Sequence, residues 1–515
     1  MVNSNNSPPK RDGGQSSNIG AQGAAYLALK NLAGGAANFV LFVFVAKFLA
    51  QVADLGAIQG LQLLILLFSL VAGFGLTTAM TRFSSFYIGA NQKEVAYRIY
   101  PMVFLLGIIF SIAVSIFVFF YADILADLFF HSVSYTTSMK LSAVIILFYS
   151  LITYCNAVFY SMHEFKKVSI LVTLDWVLRV ALAVLITAIL PSIESVLVGF
   201  IIGDICILII SIILLRTFIF RQVRFDHLFS LMRYSLPLFP SIIFTSLSMN
   251  VDYYMILILS GVYTAGLYTP AIIIGSMLQL IGSGLAETLL PIFSRMYGRG
   301  GSPALTTSSF AYTRYLFLYF LPIGFISLAL SPSIILLLLG DVFLESLYPA
   351  IIIITTITLT SVGINVFNYI LLSAGYTKIF LYSTSISLFV QIMLAYLLIP
   401  VYDTTGAAIS KSMAFVIMFA YPAIMLKRIK GLNYDSIALK HGVIGSVIVS
   451  TPLLILNYLI GSIYLIPLTI LVGFVSYLLF LRLTSAVERK DIELVVNAFP
   501  ITRSLMRIVS KIVIR

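Results

Sequence analysis

Residues 99–122 read IYPMVFLLGIIFSIAVSIFVFFYA, without one charged side chain. As a helix rising 1.5 Å per residue, this run crosses the roughly 30 Å hydrocarbon core of a bilayer. Residues 442–481 do so twice: they are uncharged throughout and break near Gly461-Ser462, with Pro467 just beyond. Only helices and closed barrels satisfy their backbone in lipid, and runs of this length are helical.

The whole chain agrees. Of its 515 residues 60% are hydrophobic and 10% charged, against about a quarter charged in soluble domains. Mean hydropathy is +1.07. A soluble enzyme, a disordered chain and a fibrous protein are excluded. Cys155 and Cys206 both lie in apolar runs and offer no disulfide framework, and four histidines give no metal cluster. No cofactor is expected.

Reading outward gives fourteen spans, near 24–46, 57–80, 99–122, 141–162, 169–190, 196–215, 235–259, 265–290, 312–331, 348–372, 379–400, 406–426, 442–460 and 463–481. The loops test this count. All but five of the 31 Lys and Arg fall in the two tails and the even-numbered loops; the exceptions are Lys30, Lys47, Lys140, Arg179 and Lys411. Lys47, Lys140 and Lys411 read as span ends on the other face, beside Asp54, Asp123, Asp127, Glu194, Asp341, Glu345 and Asp403. The positive-inside rule then puts both termini in the cytoplasm of a multi-pass plasma-membrane protein. The net charge of +12 is thus topology and not a nucleic-acid surface.

The chain resembles itself at an offset of about 210 residues. Leu55-Gly56-Ala57 opens span 2 and Ala265-Gly266-Leu267-Tyr268 opens span 8. Ala96-Tyr97 and Ala311-Tyr312 lead into spans 3 and 9; His163-Glu164-Phe165-Lys166 and Tyr376-Thr377-Lys378 follow spans 4 and 10. Two six-helix halves in the same orientation are related by an axis along the membrane normal, as in transporters with a site between two lobes. The expected architecture is an all-α integral membrane protein. It has a disordered cytoplasmic tail (1–23), an N-lobe (24–226), a C-lobe (227–436), two extra helices (437–483) and a basic tail (484–515).

The motifs carry a resemblance. Phe74-Gly75-Leu76 with Ala79 and Arg82, Tyr234-Ser235-Leu236-Pro237-Leu238, Asp252, Gly266-Leu267-Tyr268, Pro291-x-x-Ser294, and Leu398-Ile399-Pro400 with Gly406-Ala407-Ala408 follow in order. This set resembles the polysaccharide exporters and lipid-linked oligosaccharide flippases, O-antigen flippase type, of the multidrug/oligosaccharidyl-lipid/polysaccharide (MOP) superfamily. The segment 401–405 departs from the family, which has a glycine soon after the proline. The resemblance implies two six-helix lobes in a V, alternating access, and glycans on a polyprenyl or dolichyl (pyro)phosphate as cargo. It also implies cations of the first helices in the cavity.

A charge inside a span costs roughly 2.5–3.5 kcal/mol on insertion scales. Six are read there: Lys30, Asp175, Arg179, Asp204, Asp252 and Glu287, with both cations in the first half and only acids in the second. Lys30 shares a helical stripe with Gly34 and Asn38; it either meets a phosphate or snorkels to the interface. Asp175 and Arg179, at i,i+4 on span 5, pair on one face, and Asp204 on span 6 lies at similar depth. This cluster is either a structural latch or a pyrophosphate site. Thr245, Ser248 and Asp252 on span 7, Gln279, Ser283 and Glu287 on span 8, and Asn365 and Asn368 on span 10 form polar stripes. They wall a hydrated cavity or hydrogen-bond between helices. The acids Asp175, Asp204, Asp252 and Glu287 are candidates for binding H+ or Na+. Arg82 and Arg314 stand at span ends, as anion attractors or ordinary anchors.

Arg503, Arg507, Lys511 and Arg515 step by four, with Leu505, Ile508, Val509, Ile512 and Val513 between them. This reads as a basic amphipathic helix on the inner leaflet or against a partner such as a glycan-assembly enzyme. No Walker-type loop or large soluble domain is present, so the expected function is a non-enzymatic flippase in contact with membrane lipids. A multidrug/cation antiporter is the alternative, and a membrane-embedded glycan polymerase or ligase a further one.

Overall fold

The computed structural model describes residues 15–49, 51–286, 320–374, 376–429, 436–460 and 466–484, with 293, 313–314 and 317–318 between them. Glu287, the Ser283 side chain, the Pro291-x-x-Ser294 motif and the basic C-terminal pattern lie outside them.

The described elements are helices: α1 (Gln15–Phe48), α2 (Val52–Gly73), α3 (Leu76–Gly89), α4 (Lys93–Phe120), α5 (Ala122–Phe130), α6 (Thr136–Ser161), α7 (Phe165–Ile189) and α8 (Ile193–Ile219). They continue with α9 (Leu228–Ala286), α10 (Phe320–Ile334), α11 (Leu347–Ser373), α12 (Thr377–Arg428), α13 (Ser436–Ile460) and α14 (Ile466–Thr484). Nine helices among the described residues are long and apolar enough to cross a membrane. Two of these, α9 and α12, each join two spans across one non-helical residue, Gly261 and Asp403. Three shorter apolar helices, α10 and the cores of α13 and α14, lie where three further spans are expected.

Three local differences from the sequence reading have physical causes. Helix α1 begins at Gln15, ahead of its apolar stretch, so residues 15–23 are helical and not part of a disordered tail; the alanines from Ala21 onward favour this. Span 2 is broken, because Phe74 and Gly75 both take left-handed backbone angles between α2 and α3. The loop after span 3 folds into the short helix α5, which buries Leu125 and Phe130 and exposes Ile124 and Leu128.

Packing follows the inverted logic of lipid. Large apolar side chains such as Ile109, Ile116, Phe120 and Phe389 point outward. Small polar ones such as Ser84, Ser111, Ser142 and Ser150 are buried. Hydroxyls return to their own helix, as Ser142 Oγ does to Ser138 O and Ser150 Oγ to Ile146 O, which lets helices approach closely.

Among the described residues α9 meets α1, α2, α3 and α5 of the first half, and two of these meetings bring backbones together. At one, α2 crosses α9 with Gly56 against Val262 and Gly266, and Gly266 against Val52; a Cβ on either glycine would collide with backbone. Tyr253 Oη donates to Gly56 O at 3.2 Å, and Tyr254 Oη to Leu63 O at 2.8 Å. At the other, the Phe74–Gly75 break meets the start of α9: Ser235 Oγ donates to Phe74 O, and the Phe74 ring stacks on Phe239 at 4.8 Å. Helices α13 and α14 pack with α10, where Tyr477 Oη donates to Leu318 O.

Candidate functional site

The polar stripe of α1 runs along two cavities in the first half of the chain. The larger, about 570 Å³, is lined by Lys30 of α1, Thr77, Thr78, Thr81 and Ser85 of α3, and Thr153, Asn156 and Tyr160 of α6. His163 and Phe165 also border it. Lys30 Nζ donates to Tyr160 Oη at 3.3 Å and is half-buried. One ammonium therefore faces a wall of hydroxyl, amide and imidazole groups. The α3 contribution depends on the Phe74–Gly75 break, which restarts the helix with its threonines on this side.

The smaller cavity, about 200 Å³, lies deeper, between Asn38 of α1, Gln59 and Gln62 of α2, Tyr149 of α6, and Trp176 and Arg179 of α7. Tyr149 borders both cavities. Gly34 gives Trp176 its room, since a Cβ there would sit 3.0 Å from the indole nitrogen.

Arg179 is buried and borders the smaller cavity. Its Nε lies 3.2 Å from Asp175 Oδ1 and 2.5 Å from Asp204 Oδ1, and the guanidinium centre lies 4.7 Å from the Tyr149 ring. The expected Asp–Arg–Asp cluster thus exists. Arg179 Nη2, Asn38 Oδ1 and Gln59 Oε1 find no hydrogen-bond partner.

The second half of the chain corrects the sequence reading. Lys411 is not a span-end anchor: only 8% of it is exposed, and it sits inside the second part of α12. Its Nζ donates to Met249 O at 2.8 Å and to Asp252 Oδ1 and Oδ2 at 3.0 and 3.1 Å. Tyr268 Oη donates to Asp252 Oδ2 at 2.8 Å, and Gln391 Nε2 lies 3.4 Å from Oδ1. The second half therefore holds a cation as well as acids, and Asp252 is saturated by partners. The sequence concealed this because Lys411 lies close to the end of its apolar run.

The other stripes divide. Thr245 and Ser248 return their hydroxyls to Ser241 O and Phe244 O of their own helix. Thr245 lines a separate groove, about 550 Å³, with Lys378, Phe389 and Ile392 of α12. Gln279 Nε2 lies 3.7 Å from Met249 Sδ. Asn365 is half-buried and Asn368 buried on α11. Arg82 is exposed on α3, its guanidinium 4.3 Å from the ring of Tyr234 at the start of α9. Arg314 is half-buried ahead of α10.

A family model for polysaccharide biosynthesis proteins matches residues 44–348, more than half of the chain. The chain belongs to this family. No curated protein matches it significantly. Among solved structures, the lipid II flippase MurJ in an inward-closed conformation is similar at 17% identity and a TM-score of 0.67, over 87% of this chain and 97% of that one. A multidrug-resistance MATE family transporter of the MOP superfamily, inward-facing, gives 16%, 0.61, 80% and 99%. A MOP superfamily transporter from Pyrococcus furiosus gives 15%, 0.54, 80% and 97%. This polysaccharide biosynthesis protein is a multi-pass membrane protein with the MOP transporter fold. Within that fold, Lys30 borders the larger cavity and Asp175, Arg179 and Asp204 meet one another as the sequence reading expected. It missed Tyr149, the α3 threonines and the α6 stripe of Thr153, Asn156 and Tyr160, whose i, i+3, i+7 spacing was the available signal.

Proposed function

We propose that this polysaccharide biosynthesis protein is a flippase. It moves lipid-linked oligosaccharide or polysaccharide precursors from the cytoplasmic to the outer leaflet by alternating access, with both termini cytoplasmic in the plasma membrane. The observation that carries the reading is the Lys30 cavity. A compact ammonium suits a lipid phosphate. The hydroxyls of Thr77, Thr81, Ser85, Thr153 and Tyr160 and the amide of Asn156 offer donors and acceptors to sugars. The carrier's polyprenyl or dolichyl tail stays in the bilayer while the headgroup crosses between the lobes. Arg82 and Arg314 attract the anionic headgroup, and glycan-assembly enzymes supply it.

The Asp175–Arg179–Asp204 cluster bears on the energy source. Two carboxylates share one guanidinium, so with both ionised the cluster carries a net charge of about −1 in a medium that tolerates none. Two carboxyls held against the same guanidinium nitrogen hold one proton readily. Among the described residues, Tyr149 from α6 also faces them, and α1 and α2 contribute the amides Asn38, Gln59 and Gln62. We infer one exchangeable proton here, coupling headgroup movement to the proton gradient. The same cluster favours a second reading, cation-coupled antiport of an amphipathic drug.

The test is a Lys30→Glu variant in the native host, together with purified protein in proteoliposomes. Surface glycan and flipping of a fluorescent lipid-linked sugar should both be lost while folded protein persists. Unchanged glycan output would refute the assignment. Proton-driven dye efflux without sugar flipping would favour the antiporter.

A further inference from the structure

The charged cluster of the second half has a property that flipping does not require. Lys411 Nζ has three N–H donors, and three oxygen acceptors meet them: Met249 O and both carboxylate oxygens of Asp252. Asp252 and Gln391 are wholly buried, and so is Tyr268. The participants come from both halves of α9 and both halves of α12, so four spans converge on the Asp252 carboxylate, to which Tyr268, Gln391 and Lys411 all donate. The charges balance one to one, in contrast to the Arg179 cluster. A backbone carbonyl and a two-oxygen carboxylate around a small monovalent cation are the donor set of an alkali-ion site, made of hard oxygen ligands. The ammonium stands where the ion would stand.

We propose that Lys411 is a tethered cation filling a monovalent-cation site in the second lobe. The site's oxygens are Met249 O and the Asp252 carboxylate. The chain supplies the charge that dissolved Na+ or K+ would otherwise supply, so this lobe closes its helices without taking up an ion. Truncating Lys411 empties the position while leaving the oxygens, and the emptied site takes a small cation from solution.

Thermal unfolding of purified protein tests it, in chlorides of Na+, K+, methylammonium and choline at equal ionic strength. The unaltered protein should have the same midpoint in all four. Lys411→Ala should unfold earlier in choline and recover saturably in Na+, K+ or methylammonium. Adding Asp252→Asn to Lys411→Ala should erase that recovery. A selective response of the unaltered protein to Na+ or K+ over choline overturns the proposal. So does a Lys411→Ala protein that recovers in none of the small cations, or a double variant that recovers as the single one does. Should Lys411→Ala fail to accumulate, the neutral pair Asp252→Asn with Lys411→Met decides. Charge balance predicts that the pair accumulates where Lys411→Met alone does not, and failure of both overturns it.

Discussion

A guanidinium shared by two buried carboxylates responds differently to the loss of each partner. Arg179→Leu strands Asp175 and Asp204 together without a counter-charge, and breaking a buried ion pair from one side costs about 3–5 kcal/mol. Asp204→Asn instead leaves a balanced Arg179–Asp175 pair, 3.2 Å apart, and removes the surplus charge. Thermal unfolding in detergent should therefore show Arg179→Leu severely destabilised and Asp204→Asn only slightly. If the cluster carries the coupling proton, Asp204→Asn should also make sugar flipping insensitive to the pH gradient. Equal destabilisation by the two changes would contradict the shared-charge picture. The i,i+4 spacing of Asp175 and Arg179 made half of this cluster legible in the sequence. The contact with Asp204 was only suggested by depth. The Lys411–Asp252 pair was hidden, because nothing local to Lys411 marks a partner on a helix 159 positions earlier.

Among the elements, helix breaks do most of the positioning. The left-handed residues Phe74 and Gly75 turn one long span into α2 and α3, which presents Thr77, Thr78 and Thr81 to the Lys30 cavity. The motif was visible in the sequence, but its role as a break was not, because a non-glycine residue in the left-handed region leaves no composition signal. The α2–α9 crossing makes a testable claim of its own. Gly56→Ala and Gly266→Ala each force backbones apart, at a cost of about 1–3 kcal/mol for overpacking. Because both act on one crossing, the second should cost little once the first has opened it. Denaturation of both single variants and the double variant should give a loss well below additive; strict additivity would mean that the two glycines serve separate contacts.

At the scale of the whole molecule, lipid makes sequence unusually informative. Each span must be a long apolar helix, so the span count could be read from hydropathy and loop charge. Which spans touch could not, since small residues are common throughout them. The same charge pattern fixes an expected orientation: a single cysteine introduced at Ser302 should react with a membrane-impermeant thiol reagent only from the cytoplasmic side. Labelling from outside would reverse the topology.

Gly56 meets Val262 and Gly266, while Gly266 meets Val52, and each valine stands four residues ahead of its glycine. A contact in which i touches j and j touches i is the mark of an isologous dimer interface. Within a single polypeptide, it is what two identical subunits would leave behind once their genes had fused. In such an ancestor one glycine per subunit would have served both sides of the join. The present chain keeps two, and each is free to change only as far as the other allows.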